Sequence, residues 1–310
     1  MIQPNSVRRL LLASLAVPAL QGCGTPLPMA RGGVTTPEAR ALLAQSAAAH
    51  GLDAWSKIED LSISYAGAWR PVVGRLQPAL VDAGFRGRSE ERVLPRERLT
   101  AQAHEGPEGR KQVVRRTVVP GTRGPGARGD VRVWYNGEET RDTARRDAAA
   151  LVVDGYALFL LGPLVLAQYQ ATDRALVMEV AAPERIVLEG REHTCDVLRV
   201  HMTPGNGLSD ADQLALFIDR EQHVMRRARF TLNGLESTRS AVAEVDTFEH
   251  ITRHGVRWPT RFHERLLRPL ALPVHDWRLT GLDINRGLRE AEVSGAVFGA
   301  RAAVPAAALV

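Results

Sequence analysis

A chain of 310 residues, 45% hydrophobic and 24% charged, has the composition of a folded globular protein and excludes a disordered or fibrous one. Its net charge of +5 is spread thinly, which argues against a dedicated nucleic-acid binder. Lysine is confined to Lys57 and Lys111, so nearly all of the 40 basic residues are Arg. The dense basic stretch runs from Arg110 and Lys111 through Arg116 to Arg132, and it reads as a solvated face or a contact for anionic lipid head groups.

In chain order, the first feature is a secretory signal. Arg8-Arg9 precede an apolar run over 10–20, which is followed by Gln21-Gly22-Cys23. The run is about half the ~20 residues a spanning helix needs. Leu20-Gln21-Gly22-Cys23 resembles the lipobox of bacterial lipoproteins. The resemblance implies cleavage after Gly22 and diacylglycerol on the Cys23 sulfur, usually with an added N-acyl chain. Two or more acyl chains hold a protein stably on a bilayer. In the same family of signals an Asp after the Cys retains the protein in the inner membrane. Gly24 therefore implies the outer membrane, facing the periplasm. Once Cys23 carries lipid, Cys195 has no intramolecular partner, so no disulfide is expected.

Residues 23–35 read as a Pro- and Gly-rich lipidated tether after a signal peptide at 1–22. Residues 36–298 read as a single domain, and 299–310 as a C-terminal tail. Thr36-Pro37-Glu38 is a helix start, with an N-cap Thr and Pro at the first position. Ala39, Leu42, Leu43, Ala47 and His50 form its stripe, and Gly51 ends it. Leu61, Ile63, Tyr65, Gly67 and Trp69 then alternate with Ser62, Ser64, Ala66 and Ala68, a period of two. Further strands are expected over 92–103, 111–119, 131–135, 175–180, 185–188, 195–202, 214–219, 223–232, 238–248, 256–266 and 274–284. Asn136-Gly137, Asn233-Gly234 and His254-Gly255 mark turns between them. The fold class predicted is mainly β: a large curved antiparallel sheet or unclosed barrel wrapping a few helices.

One segment breaks the strand pattern. Residues 148–167 are almost wholly apolar, interrupted only at Asp154-Gly155 and Gly162-Pro163. Pro163 predicts a break between two helices rather than a membrane span.

Motifs for chemistry are sparse. Gly124-Pro125-Gly126-Ala127-Arg128-Gly129 matches a dinucleotide fingerprint in letters, but a strand follows where a helix is required, so it reads as a hairpin loop. His250 and His254 lie near a turn, roughly 13 Å apart if extended, too far to share a metal. His263-Glu264 lacks the second His of a zincin, and no nucleophile elbow is present. Cys195 sits in an apolar strand, where a thiol is usually inert. No catalytic residue, metal or cofactor is expected, and the chain is not read as an enzyme. A hydrolase assembled only in space is the remaining alternative.

The order of pieces carries a resemblance. An N-terminal helix ends at His50-Gly51-Leu52-Asp53-Ala54-Trp55, and a strand follows. Later come Trp134-Tyr135-Asn136-Gly137, the apolar insert, a strand through Cys195-Asp196-Val197-Leu198, and Leu216-Phe217-Ile218-Asp219-Arg220. Gly255-Val256-Arg257-Trp258-Pro259 stands near the end. Over roughly 36–290 this resembles the lipoprotein-carrier superfamily of LolA, LolB and LppX. The resemblance implies an apolar cavity for acyl chains. The side chains expected to face a lipid or acyl ligand are Leu151, Val152, Tyr156, Leu158, Phe159, Leu160, Leu164 and Leu166, with Trp69 and Trp134 from strands. The alternative is an envelope structural or assembly-factor lipoprotein whose cavity is filled by its own side chains; protein partners are not identifiable. Replacing Cys23 with Ala should abolish radioactive palmitate labelling and membrane association; equal labelling of the variant would contradict the lipobox reading.

Overall fold

The structure is a computed structural model that describes residues 27, 33–117, 128–170 and 175–309. Cys23, the rest of the signal and residues 124–127 of the Gly-rich loop lie outside the described residues.

The period-two segments form a thirteen-stranded antiparallel sheet. Its first meander is β1 (Leu61–Trp69), β2 (Arg88–Leu94), β3 (Leu99–Gly106), β4 (Gly109–Arg116), β5 (Asp130–Tyr135) and the short β6 (Glu138–Glu139). The second is β7 (Ala175–Leu188), β8 (Arg191–Thr203), β9 (Asp212–Asp219), β10 (Met225–Thr231), β11 (Val242–Arg253), β12 (Val256–Arg268) and β13 (Leu272–Ile284). Strand β13 returns to pair with β1, so the order is β6-β5-β4-β3-β2-β1-β13-β12-β11-β10-β9-β8-β7. The edges β6 and β7 do not pair with each other, and the barrel is unclosed.

Helices cover one face, called here the inner face. α1 (Pro37–Ala49) is capped by the Thr36 hydroxyl, which accepts from the Ala39 amide, and it buries the expected stripe. It leads into α2 (Leu52–Trp55) through Gly51 at φ +92°. α5 (Thr143–Leu161) and α6 (Pro163–Gln170) are the apolar insert, and they meet at 105°. Among the described residues no single helix is long and apolar enough to cross a membrane.

Three details depart from the sequence reading. The stretch 92–103 is not one strand: Pro95 lacks an amide donor and Arg98 adopts φ +52°, so the chain turns and Leu94 pairs with Leu99. Residues 175–180 and 185–188 are one strand, β7, with an irregularity between Ala181 and Glu184. Two short helices after β1, α3 (Pro71–Leu76) and α4 (Pro78–Val81), each start on a Pro that the strand reading passed over. The remaining short helix, α7 (Glu290–Val293), precedes the C-terminal segment.

That segment is not a loose tail. Leu288, Val293, Phe298 and Ala302 pack on the outer face of the first meander, against Leu94, Leu99 and Trp134. The Arg92 guanidinium donates to the carbonyls of Ala302 and Val304.

The basic stretch is also not a uniformly solvated face. On β4 the side chains of Lys111 and Arg115 point inward and are buried. Lys111 pairs with Asp82 at 2.5 Å, and burial pulls its ammonium down to about 8. Arg115 binds Asp154 of α5 with two nitrogens, at 3.1 and 2.9 Å. Asp154 also accepts from the Gly207 amide at 2.7 Å. The acid that interrupts the apolar helix is therefore the counterion that anchors it to the sheet. Removing one partner of a buried pair strands the other charge, at a cost of about 3–5 kcal/mol. Asp154→Ala should lower unfolding free energy by about that amount in urea titrations; a loss below about 1 kcal/mol would show that water or another acid replaces it.

Candidate functional site

Eight of the expected ligand-facing residues are brought together. Leu151, Val152, Tyr156, Leu158, Phe159 and Leu160 on α5, with Leu164 and Leu166 on α6, are buried in one core with β1 and β8–β13. Phe159 packs on Phe230 at 5.1 Å and on Trp277 at 5.8 Å between ring centroids. Tyr156 meets Tyr65 edge-on at 5.2 Å. These side chains touch protein on several sides and fill the interior themselves. Trp69 lies at one margin of the inner face, stacked on His275 at 4.4 Å. Trp134 is separated from the rest, because it points to the outer face under the C-terminal segment.

One free space lies beside this core. Gly162 joins α5 to α6 at φ +39°, and a Cβ there would stand 2.8 Å from the Met225 sulfur. Pro163 restarts the helix in a new direction. Between this elbow and the β2–β3 turn is a cavity of about 340 Å³. Val93, Ala157, Leu161 and Val165 give it apolar walls, Trp55 and the backbone of the β2–β3 turn also line it, and Arg96 and Arg98 stand at its border. None of the ten expected residues lines it. The sequence signal that locates it is the Leu161-Gly162-Pro163 break, not the centre of the apolar run.

Sequence reasoning missed a second feature, a buried polar layer at the opposite end of β2. Glu91 accepts from the Gln102 amide at 2.6 Å, and Gln102 in turn contacts His104 at 3.3 Å. Burial raises the Glu91 carboxyl to about 7 and that of Glu264 on β12 to about 8. Burial likewise holds His104 and His275 well below the usual imidazole range. The positive charge of Arg86 acts in the opposite sense on Glu264 and in the same sense on both imidazoles.

The other residues singled out in the sequence are placed apart from both features. His250 is on β11 against His50, with ring centroids 6.3 Å apart, while His254 occupies the β11–β12 turn. Cys195 is buried, and desolvation pushes its thiol up to about 12. Among the described residues no group of three or more His, Cys, Asp or Glu is placed to hold a metal ion.

No family model matches the chain, and no curated protein matches it. Solved structures similar to it include a DUF1329 family protein from Desulfovibrio piger, 10% identical, covering 83% of this chain and 98% of that one at a TM-score of 0.46. They also include a LolA superfamily protein from Nitrosomonas europaea, 9% identical, covering 82% and 96% at a TM-score of 0.42. At these identities and scores the likeness concerns the course of the chain alone. No ligand, partner or activity passes from these proteins to this one.

The polar layer generates a pH dependence. The Glu264 carboxyl moves from an ordinary value of 4.5 to about 8 on folding. The folded state thus binds the proton more tightly, and the resulting stability is present below about pH 4.5 and lost as pH rises towards 8. Glu264→Gln should melt at a higher temperature than the parent at pH 8, with the difference vanishing near pH 4.5. A constant difference across that range would contradict a neutral buried carboxyl.

Proposed function

We propose that the chain is a lipid-anchored protein of the cell envelope that takes an acyl chain into the groove between the α5–α6 elbow and the β2–β3 turn. The carrying observation is the position and lining of the cavity. It sits where the helical filling of an unclosed sheet ends, it is walled by aliphatic side chains, and its 340 Å³ falls at the lower end of the roughly 300–1,000 Å³ of small-molecule sites. Transfer of a chain from water into such a space is favourable by about 0.8 kcal/mol per methylene. Arg96, which pairs with Glu59 at 3.3 Å, and Arg98 make the border polar, where the head of a bound chain would be left in water. The lipobox at Cys23 would hold this opening near a bilayer, on the periplasmic side of an outer membrane. The groove and its border supply binding and no reaction, and no cofactor enters this reading.

A second reading keeps the anchor and drops the cargo. The eight apolar residues of the helical insert are packed as an ordinary core, which favours a structural or assembly-factor lipoprotein. The two readings separate at Ala157, which lines the groove and is not part of the buried core. A fluorescent fatty acid should bind the parent protein saturably, and Ala157→Trp should weaken that binding by about tenfold or more, equivalent to about 1.4 kcal/mol or more, while melting stays cooperative. Absence of saturable binding to the parent would leave the structural reading.

A further inference from the structure

Another groove lies on the outer face of β1, β12 and β13, across the sheet from α5. Its volume is about 620 Å³. Phe262 and Trp277 turn inward into the core, so their neighbours Arg261, His263, Asp276 and Arg278 alternate onto the outer face. These four line the groove, together with Ala66 and Ala68 of β1, Phe248 of β11, and Glu189 from the β7–β8 turn.

Strand register sets two adjacent rungs across the groove, His263 opposite Asp276 and Arg261 opposite Arg278. The first rung is complementary. His263 Nδ1 meets one Asp276 oxygen, and Arg70 donates to the other at 2.5 Å. The imidazole is thereby held in place, and Nε2 is its remaining hydrogen-bonding atom. The second rung is a conflict, because like charges directly opposite on neighbouring strands are destabilising. Arg261 is offset by Glu189 and by Glu249, the latter at 3.3 Å. Neither acid bonds Arg278, which is exposed and has no hydrogen-bond or ion-pair partner among the described residues. On its β1 side Arg278 faces Ala66, and Asp276 faces Ala68. An acid at either alanine could neutralise the rung; the methyl groups leave open space instead. The uncompensated charge therefore sits beside the space.

A guanidinium offers two parallel N–H donors that match the oxygens of an anion. His263 is the diagonal neighbour of Arg278 across the strand pair, about 7–8 Å away, so both side chains can reach one guest. As an imidazolium the ring donates through both nitrogens, Nδ1 to Asp276 and Nε2 to the guest. Donors converging from two strands suit a group with oxygens on several sides. We infer that this outer groove is a binding site for a phosphate group. Arg278 takes two of its oxygens and His263 a third, and the rest of a phosphate ester lies along Ala66 and Ala68. The site is separate from the groove at the α5–α6 elbow and does not depend on it.

Calorimetric titration of the purified full chain with inorganic phosphate, glycerol 3-phosphate and sodium acetate tests the assignment. Both phosphates should bind, and acetate, which lacks the third oxygen, about tenfold more weakly. Arg278→Gln should weaken phosphate binding by about tenfold or more, the loss expected for hydrogen bonds to a charged group. Ala66→Glu supplies the missing acid and removes no donor, and it should weaken phosphate binding as much. Ala157→Trp should leave phosphate binding unchanged. Dihexanoyl phosphatidic acid, titrated into Ala157→Trp, identifies the source. Binding tighter than glycerol 3-phosphate indicates a lipid head group, and binding no tighter indicates a soluble phosphate ester; either supports the site. Arg278 and Ala66 are both exposed, and melting curves check that each variant is folded. Ala66→Glu decides if Arg278→Gln is not. Acetate binding as tight as phosphate overturns the assignment. So does phosphate binding unchanged in the folded variants, or no phosphate binding up to roughly 50 mM, weaker than any useful millimolar site.

Discussion

An antiparallel sheet that does not close must still hide its inner face, and here the apolar helix α5, flanked by α1 and α6, does that. α5 is hydrophobic nearly all round, so it cannot lie on a surface; it has to be surrounded. The meander on each side of β1 and β13 curls around it and gives its side chains partners: Phe230, Trp277 and Tyr65 for the aromatic ones, and Val113, Val131 and Val133 for its N-terminal half. Position along the sheet is then set by charge. A helix of leucines and alanines can slide, whereas the two-point contact of Arg115 with Asp154, tied also to Gly207, fixes one register. Such a pair adds little net stability over an apolar one and is better understood as a device for uniqueness.

The same helix separates a dry core from a groove on one side and a polar layer on the other. Where it bends at Gly162-Pro163 its aliphatic side chains meet the β2–β3 turn without filling the gap, and the groove results. Where Tyr156 faces Tyr65 and Trp277, the strands bring polar side chains inward instead, and the buried polar layer results. Groove and polar layer both border β2, the groove at its Leu94 end and the layer towards Arg88. Their chemistry differs because β2 and β3 present Val93 and Thr100 near the first and Ser89 and His104 near the second.

Much of this architecture was legible in the residues. Period two gave most strands, Thr36-Pro37 and Gly51 bounded α1, and Pro163 broke the insert where the structure breaks it. What period two does not reveal is which face is inside. Leu99, Ala101 and Ala103 alternate with Thr100, Gln102 and His104, and solvent exposure of the polar set is the natural reading. The structure reverses it, because the C-terminal segment covers the apolar set and leaves the polar set facing α5. That covering comes from residues some two hundred positions away, beyond the reach of local pattern. The inward turn of Lys111 and Arg115 and the outward position of Trp134 follow from the same long-range packing. Likewise, the densest run of apolar residues marked the filled core, while the groove lies at the helix break beside it.

If the groove takes an acyl chain as proposed, α5 is a permanent part of the core and only the elbow beyond it yields to a ligand. Amide hydrogen exchange of the full chain, with and without a saturating fatty acid, tests this most directly. Amides of Leu151–Leu161 should exchange as slowly as those of the central strands β1 and β13, with or without the ligand. Those of α6 should exchange faster in the free protein and slow on addition of fatty acid. Rapid exchange throughout α5 in the free protein would make the whole insert a lid, and α6 amides indifferent to fatty acid would remove the elbow as a binding site.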